Sequence, residues 1–398
     1  MRILQITNRI PYPPKDGGAI GYYNFTKSYA ELGVDLTLLS MNTSKHYIDI
    51  EDLPDLFRKE IDLRVVDIDN RIKPKDAALN LFTKKSYNIQ RFESYEFAEK
   101  LIETIKEKDF DIIHLDSLFV CSYIPIIREH SKAKIVLRAH NVEYLIWERI
   151  AAVETKKVKK AYLNLLARRL KAFEEQAINE VDLILPISEI DRQILIDLGC
   201  KQPQHVVTAG IDSQKFIRVP EATEFPSIFH LGSLDWIPNQ QAVKWFLNEV
   251  WNDINLKFPD LKLYIAGRNT PDEFFKIEMP NVEILGEVES AVDFINTKAI
   301  MIVPLLSGSG MRLKILEGMA LGKTIISTSI GAEGIEYENN KNIIIADTPK
   351  AFVESISKCL NDKAFYNSIG ENAWTLAHET YNNNKIVERL LKAYKSIL

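Results

Sequence analysis

The sequence predicts an α/β protein with two doubly wound domains. Three observations carry this prediction: β-rich runs alternate with helix-length amphipathic segments, the alternation occurs in two series, and 398 residues exceed what one hydrophobic core usually supports. Several runs are apolar without alternation, for example Ile112-Ile113 and residues 300–303. Strands covered on both faces have this composition, so parallel sheets are expected.

The elements follow in order along the chain. In the first series, strands are predicted at 2–7, 35–40, 63–67, 111–115, 134–139 and 183–187, with helices such as 19–32 and 95–106 between them. In the second series, strands are predicted at 227–231, 262–266, 282–285, 299–305, 324–327 and 343–346. We therefore expect domains at 1–200 and 227–380, with a linker at 201–226. The last segment, 381–398, is a helix that could return to the first domain.

The composition of the chain argues against several classes of function and location. A net charge of −5 argues against bulk binding to nucleic acid, which depends on a basic surface. Cys121, Cys200 and Cys359 lie far apart and form neither a disulfide framework nor a zinc motif, so a cytoplasmic location is expected. The first residues turn polar too soon for a signal peptide, and no apolar run approaches the roughly 18 to 20 residues of a membrane-spanning helix.

The most informative segment is an apolar strand that runs into a glycine-serine loop and then into a basic helix start. Gly308 and Gly310 let the backbone approach a ligand closely, and the helix start presents free N–H groups with partial positive charge. Arg312 and Lys314 add full charges, and Glu317 is placed to reach a ribose hydroxyl. The segment predicts a cradle for a nucleoside diphosphate. The alternative is a plain tight turn between strand and helix.

Two other phosphate motifs do not fit this segment. A dinucleotide fingerprint needs a glycine where Leu313 stands, and a P-loop needs a glycine where Glu317 stands. Moreover, Gly322-Lys323-Thr324 follows a helix, whereas the P-loop follows a strand. Gly322 is better explained as a helix C-cap.

The string from Pro304 to Glu317 resembles the retaining nucleotide-sugar glycosyltransferases of family 4. The resemblance extends over nearly the whole chain, and it includes Gly232-Ser233-Leu234, Gly267-Arg268 and Glu287-Val288. It implies the GT-B fold, in which two Rossmann-like domains enclose an interdomain cleft. It also implies a nucleoside diphosphate sugar as donor, a glycan or lipid-linked hydroxyl as acceptor, and a place in bacterial polysaccharide or glycolipid assembly.

The resemblance assigns roles to individual residues. It implies that Glu317 holds the ribose, that Arg312 and Lys314 stabilise the departing diphosphate, and that His140 contacts the donor sugar. The other residues expected to bind substrate are Gly17, Gly18, Asn141, Glu143, Gly232, Arg268, Val288, Gly308, Ser309, Gly310 and Met311.

For two sets of these residues, both in the first domain, the side chains or backbone groups themselves suggest binding. His140, Asn141 and Glu143 follow a predicted strand and offer side chains that bind sugar hydroxyls; the alternative is a buried loop histidine with Asn141 capping the next helix. Gly17 and Gly18 open a helix, so their N–H groups could face phosphate or acceptor; the alternative is a flexible helix entry.

The chain departs from the family pattern at two places. Most members carry two glutamates eight residues apart; Glu317 matches the second, but Ser309 stands at the first. The region 232–236 also lacks the basic residues that many relatives carry there, so Arg312, Lys314 and Arg268 would have to neutralise the diphosphate. Because the helix dipole and these cations supply positive charge, we predict no metal and no cofactor.

Membrane contact and two other functions stay open. Residues 156–171 form a basic amphipathic pattern that could lie on the inner face of a membrane, although a core-facing helix with solvated lysines is the favoured interpretation. Lys84-Lys85, next to Leu81-Phe82, could weakly extend the same surface. A nucleotide-sugar epimerase of the same fold would use in-cleft carboxylates, for which only Glu143 and Asp16 are placed. A non-catalytic nucleotide-sugar binding subunit is the other alternative, because the first glutamate is missing.

Overall fold

The computed structural model describes residues 1–14, 17–307 and 311–398, which form two compact units. The first unit comprises Met1–Thr208 and Ile386–Leu398, and the second comprises Ala209–Lys385. Each unit is built on one parallel six-stranded sheet. The predicted α/β fold class is confirmed.

The first unit contains the strands β1 (Arg2–Thr7), β2 (Asp35–Thr43), β3 (Asp62–Ile68), β4 (Ile112–Leu115), β5 (Lys134–Ala139) and β6 (Leu183–Pro186). They pair in the order β3-β2-β1-β4-β5-β6. The register places one row of buried apolar residues across the sheet: Leu39, Ile6, Leu115, Leu137 and Ile184. The runs without alternation are therefore buried strands, as expected.

Helices connect these strands. They are α1 (Gly17–Glu31), α2 (Pro74–Asn80), α3 (Tyr87–Gln90), α4 (Tyr95–Glu107), α5 (Ile124–His130), α6 (Glu143–Val153), α7 (Lys157–Glu180) and α8 (Glu189–Asp197). In α7, Leu163, Leu166 and Leu170 are buried within the unit. The apolar face of this helix thus belongs to the protein core.

The second unit contains the strands β7 (Glu224–Leu231), β8 (Lys262–Ala266), β9 (Val282–Gly286), β10 (Lys298–Val303), β11 (Thr324–Ser327) and β12 (Ile344–Ile345). They pair in the order β12-β11-β10-β7-β8-β9. The helices are α9 (Ile237–Phe246), α10 (Asn252–Lys257), α11 (Ala291–Thr297), α12 (Leu313–Ala320), α13 (Pro349–Asn361), α14 (Lys363–Thr380) and α15 (Asn383–Lys395). A π-helical stretch, Leu247–Trp251, links α9 to α10.

The last helix, α15, leaves the second unit and packs in the first. Its Ile386, Val387, Leu390 and Tyr394 belong to a buried apolar cluster that also contains Ile3 of β1. The hydroxyl of Tyr394 lies 2.8 Å from Nδ1 of His114 in β4.

Some element bounds differ from the prediction. β2 continues to Thr43, three residues beyond the predicted end, because residues 41–43 stay buried and pair with β3. α12 begins at Leu313, with Arg312 as its N-cap. Gly322 has φ +68°, and its N–H donates to Met319 O at 2.9 Å, which confirms the predicted helix C-cap.

Candidate functional site

In the second unit, the chain order reverses between β10 and β7. The segment after β7 leads through Gly232 to α9, and the segment after β10 leads to α12. Both helices therefore begin at the carboxyl edge of the sheet, where connections diverge from adjacent strands. Such a switch point, with helix N-termini directed toward it, is a general location for anion binding.

Lys314 lies at this edge, against the backbone of Gly232. Its Nζ donates to Oδ1 of Asn239 at 3.0 Å. A Cβ on residue 232 would lie 2.9 Å from Nζ and 2.8 Å from Nδ2 of Asn239, so only glycine fits there without displacing them. Burial, reinforced by the charge of Arg312, lowers the pKa of Lys314 to about 7. A bound anion would favour the charged form.

Arg312 is fixed between the starts of the two helices. It occupies the N-cap position of α12 without a capping hydrogen bond from its side chain, and it is 8% exposed. Its Cζ lies 5.3 Å from the ring centre of Trp236, which precedes α9. Burial lowers the pKa of Arg312, and the charge of Glu333 opposes that shift. Two basic side chains therefore lie where α9 and α12 begin.

The remaining residues expected in this half are spread around the same edge. Glu317 lies one turn after Lys314 on α12, and burial raises the pKa of its carboxyl, which the charge of Lys314 opposes. Arg268 follows β8; its carbonyl accepts the N–H of Leu234 at 2.9 Å, and its side chain is exposed.

Val288 and Met311 are half-buried against an apolar cluster that includes Ile315 and Leu316 of α12. Their positions are set by packing. Gly308, Ser309 and Gly310, at the centre of the predicted cradle, lie outside the described residues, as does Asp16 in the first unit.

In the first unit, His140 follows β5 and is held by a buried carboxylate. Its Nε2 lies 2.7 Å from Oδ1 of Asp116, which follows β4 and is 0% exposed. Gln5 donates to the other carboxylate oxygen at 2.8 Å, and Arg138 lies 3.7 Å from Oδ1. Burial alone would raise the pKa of Asp116. The hydrogen bond from His140 and the nearby basic groups outweigh burial, so the pKa is lowered.

These contacts fix the protonation of the imidazole. Burial, together with the charge of Arg138, lowers the pKa of His140, so the ring is neutral near pH 7. Because an ionised carboxylate only accepts hydrogen bonds, the single ring hydrogen is on Nε2 of His140. The Nδ1 atom is therefore a hydrogen-bond acceptor.

The opposite side of the His140 ring packs on α1. A Cβ on Gly21 would lie 3.0 Å from Cε1 and 3.3 Å from Nδ1 of His140. The ring of Tyr22 meets the imidazole edge-on, with centroids 4.8 Å apart, and its hydroxyl donates to Asn8 Oδ1 at 2.9 Å. Gly21 thus permits the close approach of α1 to the histidine.

The start of α6 is capped by a carboxylate from α7. The N–H groups of Glu143 and Tyr144 donate to the two carboxylate oxygens of Glu174, at 3.0 and 2.9 Å. Glu174 therefore caps α6. One reading of the sequence gave this role to Asn141, but Nδ2 of Asn141 lies 3.4 Å from Oε1 of Glu143. Burial raises the pKa of Glu174 to about 7 and also raises that of Glu143.

These groups share one cavity of about 390 Å³. Of the residues expected from the sequence, it is lined by Gly18, His140, Asn141 and Glu143, and α1 begins at Gly17 beside it. Further lining residues are Asn8, Arg9, Tyr22, Lys45, Asn70, Arg91 and Ser117. The structure therefore brings the first-half residues together at the carboxyl ends of the strands.

The sequence assigned no role to the buried polar residues Asp116, Asn239 and Glu174. Asp116 directly follows β4, and Asn239 lies in the first turn of α9 after β7. The rule that sites gather at strand ends could have identified Asp116. Asn239 stands in the pair Pro238-Asn239, which is part of the family resemblance, but only the folded chain shows its contact with Lys314.

The chain matches known families along most of its length. The model of the family described as Glycosyltransferase Family 4 matches residues 15–215, and the model described as Glycosyl transferases group 1 matches residues 225–362. A Klebsiella pneumoniae protein, described as an uncharacterized 44.6 kDa protein in the cps region, is 24% identical, and the match covers 98% of this chain and 99% of that protein.

Two solved structures show the same architecture. HepE of Anabaena, in complex with UDP, has a TM-score of 0.68 at 13% identity, with 100% of both chains covered. Sucrose-phosphate synthase of Thermosynechococcus elongatus has a TM-score of 0.68 at 12% identity, covering 100% of this chain and 99% of that one. The fold is that of the GT-B glycosyltransferases. The chain belongs to glycosyltransferase family 4.

Proposed function

We propose that the chain transfers a sugar from a nucleoside diphosphate to a hydroxyl acceptor, with retention at the anomeric carbon. The observation that carries the proposal is the pair of cations, Arg312 and Lys314, placed with Gly232 where α9 and α12 begin. A diphosphate carries the negative charge that two helix starts and two basic side chains attract. HepE, solved with UDP and with UDP-glucose, makes UDP the first nucleotide to test.

In the proposed reaction, the bond from the anomeric carbon to the diphosphate oxygen breaks, and a bond to the acceptor oxygen forms on the same face. The acceptor proton passes to the leaving phosphate. Negative charge grows on the diphosphate, so Arg312, Lys314 and the amides of Gly308, Ser309, Gly310 and Met311 act most strongly in the transition state. Glu317 holds the ribose.

The first unit supplies the sugar contacts in this proposal. Nδ1 of His140 accepts a hydrogen bond from a donor-sugar hydroxyl, while Asn141 and Glu143 bind further hydroxyls from the same cavity. Gly17 and Gly18 direct the start of α1 toward phosphate or acceptor, and Gly232, Arg268 and Val288 contact the nucleotide. A relative in a cps region favours bacterial polysaccharide assembly as the setting.

The test is an assay of sugar transfer by the purified chain. UDP-, GDP- and dTDP-sugars are first ranked by the rise in melting temperature, which grows with the logarithm of ligand concentration over Kd. With the stabilising donor, Arg312→Ala should lower kcat on the order of 10²-fold if oxyanion-site magnitudes apply. NMR of the product's anomeric proton reports retention. Unchanged turnover in Arg312→Ala, or an inverted product, would contradict the proposal.

A further inference from the structure

The segment 71–85, which contains α2, is almost entirely exposed. Only Asn80 is buried in it, and four large apolar side chains face solvent. Their exposed fractions are 67% for Ile72, 68% for Leu79, 46% for Leu81 and 91% for Phe82. Single exposed apolar residues are ordinary, whereas four within eleven consecutive positions mark an interaction surface.

The buried residue anchors the segment to the first unit. Arg169 of α7 donates to the carbonyl and Oδ1 of Asn80, both at 2.9 Å, and to the carbonyl of Leu81 at 3.1 Å. Nδ2 of Asn80 donates to Gln90 Oε1 at 2.9 Å. The hydroxyl of Tyr87 accepts the N–H of Lys73 at 3.0 Å. These contacts hold the apolar side chains outward.

Basic residues lie among the apolar ones. Within 71–85, the charged residues are Arg71, Lys73, Lys75, Asp76, Lys84 and Lys85. Asp69 pairs with Arg71 at 2.8 Å and with Lys73 at 3.2 Å, and Glu93 pairs with Lys85 at 3.3 Å. The segment itself therefore carries five cations and one anion, and Lys75 and Lys84 extend its positive charge beyond these pairs.

We propose that the segment 71–85 docks on the surface of an anionic lipid bilayer. Apolar side chains of this size enter the boundary between headgroups and acyl chains, while lysines reach lipid phosphates. A protein partner fits less well, because the cores of protein interfaces are depleted in lysine. The sequence suggested membrane contact mainly through 156–171, with residues 81–85 only as a weak extension. The leucine face of 156–171 is buried, whereas 71–85 is exposed.

Docking through this segment would bring a membrane-bound acceptor close to the candidate site, and this step rests on the proposed transferase function. A second cavity, of about 550 Å³, is lined by Leu79 and by charged residues of both signs: Arg71, Lys73 and Arg91 with Asp67, Asp69, Asp76, Glu93 and Glu96. Arg91 also lines the cavity that contains His140. A bilayer at 71–85 would thus present a lipid-linked acceptor one cavity away from the sugar-binding groups.

The experiment is co-sedimentation of the full chain with vesicles of phosphatidylglycerol and phosphatidylcholine, compared with vesicles of phosphatidylcholine alone. We expect binding to the anionic vesicles only, weakened by salt. The double variant Ile72→Ser with Phe82→Ser should bind about tenfold more weakly or worse, since one buried large side chain contributes about 1.5–3 kcal/mol. Leu256→Ser, at a position 81% exposed in the second unit, is the matched control and should bind normally.

Equal binding to both vesicle types, absence of binding, or an unaffected double variant would overturn the proposal. The stabilisation of each variant by UDP is measured in parallel. Nucleotide binding without vesicle binding refutes the docking surface alone, whereas an unmodified chain that none of the UDP-, GDP- and dTDP-sugars stabilises refutes the proposed function.

Discussion

Nε2 of His140 lies 2.7 Å from Oδ1 of Asp116, and the two residues follow the neighbouring strands β5 and β4. The buried carboxylate fixes which ring nitrogen carries the hydrogen, and so it determines what the other nitrogen can bind. Asp116 acts through His140 and is a positioning residue in this account.

Asp116→Asn should lower kcat by about tenfold or more, which corresponds to about 1.4 kcal/mol, with a smaller change in KM. The reason is that an amide can present either an acceptor or a donor to Nε2, so the ring is no longer confined to one tautomer. Nitrogen chemical shifts of His140 measure the tautomer directly. The control is Tyr394→Phe, which removes a hydroxyl from His114 in the same network and should leave the His140 tautomer intact. An unchanged tautomer in Asp116→Asn would contradict the assignment.

Gly21→Ala should reduce activity without reducing stability. Alanine favours a helix by about 1 kcal/mol relative to glycine, so helix propensity alone predicts a gain in stability. The new Cβ would lie 3.0 Å from Cε1 of His140 and displace the ring. Kinetics and thermal unfolding separate the two effects. Ala30→Gly, on the same helix, should behave in the opposite way, with lower stability and normal kcat; full activity in Gly21→Ala would refute this role of the glycine.

Glu174 should make stability depend on pH. Burial raises the pKa of this carboxyl from 4.5 to about 7, so the folded state holds its proton more tightly than the unfolded state does. Its contribution is fully present below pH 4.5 and is lost as the pH rises through about 7. Denaturant unfolding should therefore show a free energy of unfolding that falls over this range. Glu174→Gln should flatten the dependence, while Glu175→Gln, on the exposed side of α7, should keep it; an identical slope in Glu174→Gln would exclude this origin.

Lys314 should take up a proton when a diphosphate binds. Its pKa of about 7 leaves much of the free protein uncharged at this position near pH 8, and a bound anion favours the ammonium form. Affinity for UDP should thus decrease as the pH rises above about 7. Calorimetry in buffers of different ionisation enthalpy measures the proton uptake. Lys314→Met should abolish the uptake at this residue, and a buffer-independent heat in the unmodified chain would contradict the prediction.

The sequence predicted much of this structure because its strongest signals are local. All twelve predicted strands occur, because buried parallel strands consist of short apolar runs that the sequence shows directly. The contacts that arrange the site are not local. His140 and Asp116 are 24 residues apart, Glu143 and Glu174 are 31 apart, and Lys314 and Asn239 are 75 apart. Only the folded chain shows these pairs, because no periodicity connects them.

The exposed segment 71–85 illustrates the same limit. Both this segment and 156–171 combine lysines with apolar residues. The sequence favoured 156–171 as the membrane surface because leucines recur there at helical spacing, and it gave residues 81–85 only a minor part. In the structure, that spacing reflects packing into the core. The apolar side chains of 71–85 are irregularly spaced and exposed to solvent. Burial in the folded chain, and not the spacing of the apolar residues, therefore shows which segment is free to contact a membrane.

In the proposed function, Arg312 and Lys314 bind the diphosphate of the donor. The most direct test is the Kd of UDP for Lys314→Met, compared with Lys350→Met, which removes a lysine ion-paired only at the surface. Because a hydrogen bond to a charged group contributes about 1.5–3 kcal/mol, we predict roughly 10- to 100-fold weaker binding for Lys314→Met and no change for Lys350→Met. Equal Kd values for Lys314→Met and the unmodified chain would contradict the account.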